Sequence, residues 1–287
     1  MSSVLAAALF SVLVSVLLKL MPRHRIDVGQ AVTWNYLAAG LMCLWMLDPP
    51  LATLRSPSTP WLALIVLALV LPGLFLVLAS AVRQAGIVRT DIAQRLSLLL
   101  SLIAAFTLFG EALGALKLAG LALGLVAVLA ILMRPETHAT PARGATWLLL
   151  AVWMGFALVD VVLKAIARAG TPFAASLLAV FALAFVGMLS IQLWRHAKGR
   201  SRLGLRNAVA GLLLGALNFG NIVCYVRAHR ALPDNPAVVF ASMNIGVVVL
   251  GTLVGVLAFG ERTSRWNRLG IVLAILAIAL IAFAPRA

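Results

Sequence analysis

Phe109-Gly110-Glu111 returns as Phe259-Gly260-Glu261, an offset of 150 positions. Both copies sit between two apolar segments. The register holds beyond them: Gly120 and Gly270 each lie nine residues after the glutamate, and Leu123/Leu273, Ala127/Ala277 and Ile131/Ile281 keep the offset. In a chain this apolar, such a repeat reads as one membrane unit written twice. Transporters are commonly built that way, with the substrate site between the halves.

Composition sets the solvent. The 287 residues are 63% hydrophobic and 11% charged, with a mean hydropathy of +1.10. A soluble domain of that size has too little charge to cover so much apolar surface, whereas a multi-pass membrane protein needs little. The first apolar stretch, Val4 to Leu20, lacks a basic start and a small-residue cleavage site, so it reads as a first span. The net charge of +15 does not point to nucleic acid. The basic residues fall mostly between apolar segments or at their ends, where they set topology and meet lipid headgroups. Cys43 and Cys224 lie inside apolar segments and read as packing residues; no disulfide, metal or cofactor is expected.

Ten segments are long enough to cross a hydrocarbon core, near 3–20, 29–47, 61–82, 88–108, 115–133, 145–166, 172–194, 207–228, 236–258 and 268–284. Of twelve prolines only Pro72 falls inside a segment, as unbroken helices require. Period-two alternation is absent, so a barrel is not indicated. The expectation is an all-α membrane protein with ten transmembrane helices as two inverted five-helix repeats. Residues 1–134 form the first repeat, 135–144 a linker loop and 145–287 the second. Ser15/Lys19 align with Asp160/Lys164, Val82-Arg83 with Val226-Arg227, and Gln94 with Asn244. An odd number of helices per unit inverts the second copy. Sixteen of the 23 lysines and arginines fall on the side of the loops after odd-numbered segments. The positive-inside rule makes that side cytoplasmic, with both termini outside.

No catalytic constellation, nucleotide loop or metal-ligand spacing is present, and the four histidines lie in loops or at segment ends. The informative residues are polar groups at membrane depth, which are costly there. Asn218, Asn221 and Tyr225 share one face of the eighth segment and read as cavity lining or as interhelical hydrogen bonding. Gln94 and Asn244 occupy matched positions in the repeats, and amides both donate and accept. Asn35-Tyr36 in the second segment reads as helix packing or as further lining. Asp160/Lys164 and Asp91/Arg95 are four apart, so each pair can meet on one helix face, as a self-neutralised pair or as gate and coupling residues. Glu111 and Glu261 precede the fifth and tenth segments, where a carboxylate suits a helix N-terminus. Gly120/Gly124 and Gly251/Gly255 are GxxxG surfaces for packing within the chain or for a homodimer. Pro72-Gly73 removes a mid-helix hydrogen bond, so a hinge is expected there.

The two Gly-Glu loops, each before a glycine-containing last helix, resemble the drug/metabolite transporter superfamily, EamA type, over essentially the whole chain. The residues that carry the resemblance are Phe109-Gly110-Glu111 with Gly120, and Phe259-Gly260-Glu261 with Gly270. It implies a ten-helix carrier with a central cavity lined by segments 1, 3, 4, 6, 8 and 9, and with segments 5 and 10 at the periphery. Members of this size usually keep both termini in the cytoplasm, opposite to the charge count. Related four-helix carriers use an acid in the first helix; here the nearest substitute is Asp160. The expected function is a secondary, non-ATP transporter of a small organic solute, an exporter of a metabolite or amino acid in the plasma (inner) membrane. Membrane lipids are its other partner, and it is not an enzyme. The alternatives are a lipid or lipid-linked headgroup translocase and a non-transporting scaffold subunit.

Overall fold

In the computed structural model, residues 2–109, 114–132, 144–231 and 236–283 are described. Gly110, Glu111 and most of the 135–144 linker lie outside these. The described residues form eleven α-helices and no strand: α1 Ser2–Leu20, α2 Val28–Leu47, α3 Trp61–Ala85, α4 Ile87–Arg95, α5 Ser97–Phe109, α6 Ala115–Leu132, α7 Ala145–Arg168, α8 Phe173–Ala197, α9 Leu205–Ala231, α10 Pro236–Phe259 and α11 Arg265–Ala282. Six helical stretches are long and apolar enough to cross a membrane, among them α3, α7, α8 and α9. Large apolar side chains such as Trp45, Leu69, Trp147 and Leu205 remain exposed. That surface suits hydrocarbon, where helix backbones satisfy themselves.

One expected segment is two helices. The stretch 88–108 breaks at Leu96 into α4 and α5. No proline or glycine lies at the break. The Leu96 carbonyl instead accepts from Trp153 Nε1 on α7 at 2.8 Å, and Ser97 Oγ donates to the Gln94 carbonyl at 2.7 Å. Side chains thus replace helix hydrogen bonds. α3 continues helically through Pro72, where the sequence suggested a kink or hinge.

Packing runs mainly between the two ends of the chain. α2 lies along α9 and α8, α1 along α9 and α10, α3 along α7, α4 along α10, and α6 along α11. A close approach of α2 to α9 uses the glycine pair Gly211 and Gly215 on α9. A Cβ on Gly215 would sit 2.5 Å from the Asn35 carbonyl oxygen and 2.7 Å from Ala38 Cβ, and one on Gly211 would strike the Ala31 backbone. Side chains larger than hydrogen would force α2 and α9 apart. Gly120 faces α11 at Ile281, Gly124 faces Leu99 on α5, and Gly251 and Gly255 face Asp91 and Val88 on α4. All four are used for packing inside the chain.

Glu261 caps a helix, though not the one it precedes. Its carboxylate accepts from the backbone N–H groups of Ile87 and Val88, at 2.7 and 3.1 Å, and so closes the N-terminus of α4 from the other half of the chain. The helix it precedes, α11, is capped by Ser264, whose side chain accepts from Asn267 N–H at 3.1 Å. Gly86 makes room: its φ is 88°, and a Cβ there would lie 2.7 Å from a Glu261 oxygen.

A candidate substrate cavity between the two ends of the chain

A cavity of about 340 Å³ lies at the middle of the bundle, walled by α1, α2, α3, α4, α7, α8 and α9. Its polar wall is Ser11, Ser15, Gln94, Arg95, Asp160, Asn218 and Asn221; its aromatic wall is Tyr36, Phe75, Phe156, Phe173 and Phe181. A second chamber of about 250 Å³ shares Gln94, Arg95, Asp160 and Asn221 with it and adds Tyr225 and Asn244. Neither α6 nor α11 contributes a lining residue to either chamber.

Arg95 is the cation of both chambers. It sits at the end of α4, where the break at Leu96 lets its side chain turn inward. One guanidinium nitrogen donates to Ser11 Oγ at 2.6 Å and another to Asn244 Oδ1 at 3.2 Å, while Nε is buried without a partner. Asp91, one turn earlier, is buried and accepts from Ser15 Oγ at 2.8 Å. The expected Asp91–Arg95 contact is therefore opened out: each reaches α1, onto two serines that are themselves four apart. Neutral partners, Ser11 and Asn244, thus hold the guanidinium in place of a closed ion pair with Asp91.

Asp160 accepts from Ser101 Oγ on α5 at 2.8 Å and is exposed although it lies well inside α7. Lys164, one turn on, lines a different and mostly apolar chamber. Asn221 donates to the Ala7 carbonyl of α1 at 2.7 Å, and Asn218 to Asn35 Oδ1 at 3.4 Å. The α9 amides thus face the cavity and also tie helices together. Asn35 is fully buried between α2 and α9 and lines neither chamber, while its neighbour Tyr36 lines the larger one with a buried, unpartnered hydroxyl. Tyr225 packs edge-on against His229, ring centroids 4.4 Å apart. Gln94 makes no side-chain hydrogen bond among the described residues, so its amide is available inside the cavity.

The strong polar closures lie on the face where α1 ends. Lys19 pairs with Glu261 and stands 4.5 Å from the Phe259 ring centroid. Asp27, the α2 N-cap, pairs with Arg195 at 3.0 Å. Gln30 binds Ser201, the Arg202 carbonyl, Gly204 N–H and Asn207, which fastens the basic loop after α8 to α2. On the face where α1 begins, the apolar chamber reaches the α7–α8 turn at Thr171.

The EamA-like transporter family matches residues 1–133. An uncharacterized protein of Haemophilus influenzae is similar over nearly its whole length: 37% identity over 287 residues, covering 97% of this chain and 96% of the relative. The chain belongs to the EamA-like transporter family. It is an integral membrane protein. In this EamA-like chain, sequence reading missed the serine partners of its charged residues, Ser11, Ser15 and Ser101, and the role of Trp153 at the Leu96 carbonyl. A serine pair at spacing four inside the first apolar segment was the one visible signal. Trp153 gave none, because tryptophan in an apolar helix reads as lipid-facing.

Proposed function

We propose that the chain is a secondary transporter, an exporter of a small organic metabolite or amino acid across the plasma membrane. It would have ten spans in two inverted repeats, residues 1–134 and 145–287, that part around the central cavity by turns. The observation that carries this reading is the cavity itself: polar groups from both ends of the chain converge at membrane depth, and among the described residues ion pairs close the face where α1 ends. A broken helix presenting polar groups at the midplane is how inverted-repeat carriers make their sites. The packing supports duplication. α1 against α9 has its counterpart in α7 against α3, while α2–α8, α4–α10 and α6–α11 each pair a helix with its own repeat partner.

In this mechanism Gln94, Tyr36, Asn218, Asn221, Tyr225 and Asn244 orient the solute. Arg95 and Asp160 meet its charges, and Asp160 carries the coupling proton when Ser101 releases it. Opening the sealed face requires Lys19 to leave Glu261 and Asp27 to leave Arg195, with α3 flexing at Pro72-Gly73. A scaffold subunit needs no such lining. Proteoliposomes containing the full chain, loaded with a panel of labelled metabolites and amino acids under an imposed pH gradient, test the proposal. Gradient-dependent flux of one solute class is expected. No flux of any solute would overturn it.

A further inference from the structure

A third chamber, of about 330 Å³, lies between α3, α7 and α8 and is lined by Leu67, Leu163, Ile166, Ala167, Leu177 and Val180. It is almost wholly apolar. Ser176, on its wall, spends its hydroxyl on the Pro172 carbonyl at 3.1 Å. The chamber adjoins the central cavity, with which it shares Leu67, Leu163, Phe173 and Leu177. The two neighbouring spaces differ in character. The cavity holds Arg95, with a buried unpartnered Nε, and the free Gln94 amide; the chamber is walled mostly by hydrocarbon, with Lys164, Thr171 and Ser176 as its polar lining residues. In the cavity wall the Tyr36 hydroxyl is buried with no partner.

A small polar solute would leave the apolar chamber empty or filled with misplaced water, since such a space holds no ordered water. A purely apolar solute would leave the Gln94 amide and the Tyr36 hydroxyl unpaired and Arg95 with neutral partners only, which is costly at this depth. The occupant that satisfies both spaces is an amphiphile. We infer that the transported solute carries a carboxylate head, bound at Arg95 and Gln94 beside Tyr36, and an apolar tail that enters the α3–α7–α8 chamber, which acts as the specificity subsite. This rests on the transporter reading. The carboxylate follows from the guanidinium, which pairs with it in a bidentate manner. Asp160, in the same cavity, would take an ammonium on the head if there is one.

The test is binding to the full chain in lipid nanodiscs by calorimetric titration, with empty nanodiscs subtracted. The probes are straight-chain 2-amino carboxylates from alanine to 2-aminodecanoate, and the matching 2-hydroxy carboxylates, which lack the ammonium. In at least one head series Kd should tighten about fourfold per added methylene until the chamber is full. Ala167→Phe, at an exposed position on the chamber wall, should erase that gain for long members and leave the shortest unchanged. Thr171→Trp at the chamber mouth should do the same and serves if Ala167→Phe misfolds. Arg95→Gln should weaken every length alike. An affinity indifferent to chain length would overturn the inference, as would no binding by either series, or a chamber variant that weakens short and long members equally. Flux of other solutes in proteoliposomes would then leave the transporter reading standing; absence of all flux would remove that reading as well.

Discussion

Arg95 holds a charge at a depth where charge is expensive, and it is held by two neutral groups, Ser11 and Asn244, from α1 and α10. That arrangement is poised to gain a counter-charge. Arg95→Gln should therefore reduce solute affinity by more than tenfold while the protein still assembles, because the serine and amide partners can bond a glutamine. Gln94→Ala and Asn221→Ala should each weaken transport by a factor of about 5 to 150, the cost of a desolvated polar group losing its partner. Initial-rate uptake in proteoliposomes measures both. Unchanged kinetics in the pair would make these amides structural. Asp160→Asn keeps the Ser101 hydrogen bond and removes the titratable group. It should abolish accumulation driven by a pH gradient and spare passive exchange of solute; full gradient-driven accumulation in Asp160→Asn would put the coupling elsewhere. Most of these residues were legible in the sequence because a polar side chain stands out against an apolar run. Their partners were not. Ser11, Ser15 and Ser101 look like any small residue in a packed helix, and only the fold brings them opposite Arg95, Asp91 and Asp160.

At the scale of helices, the break between α4 and α5 is held by Trp153, since Leu96 has no intrinsic reason to end a helix. Trp153→Phe preserves the ring packing and removes the donor to the Leu96 carbonyl. The expected cost is about 0.5–1.5 kcal/mol, with a larger effect on transport than on stability, because the side chains that flank the break line the cavity. The close approach of α2 and α9 gives a sharper test. Gly211→Ala drives a methyl into the Ala31 backbone, which cannot yield, so thermal unfolding in nanodiscs should show a loss of about 1–3 kcal/mol. Gly73→Ala, with open space around it, should show none. The helix ends were readable from proline placement and the lengths of apolar runs. The break at Leu96 was not, since its cause is a tryptophan 57 positions away in sequence. Glu261 was readable as a helix cap but not as a cap for α4, because the short-range signal that precedes α11 is satisfied there by Ser264.

At the scale of the whole molecule, the repeat offset is the sequence signal for the proposed duplication. The ion pairs on the face where α1 ends were not legible, because Lys19 and Glu261 lie 242 positions apart and meet only in the fold. Lys19–Glu261 joins the end of α1, the start of α4 and the α10–α11 loop, so it spans the seam that must part if the sealed face is to open. With both termini outside, as the charge count predicts, a C-terminal fluorescent-protein fusion in a bacterial host should stay dark; bright fluorescence would reverse the orientation. The central claim is that solute passes between the halves by turns. It is tested by locking that seam. Lys19→Cys and Glu261→Cys, combined with Cys43→Ala and Cys224→Ala, should be bridged by a bis-thiosulfonate reagent in proteoliposomes. The account predicts that bridging stops solute flux, leaves solute binding from the open face intact, and is reversed by dithiothreitol. Undiminished flux through the bridged protein would contradict it.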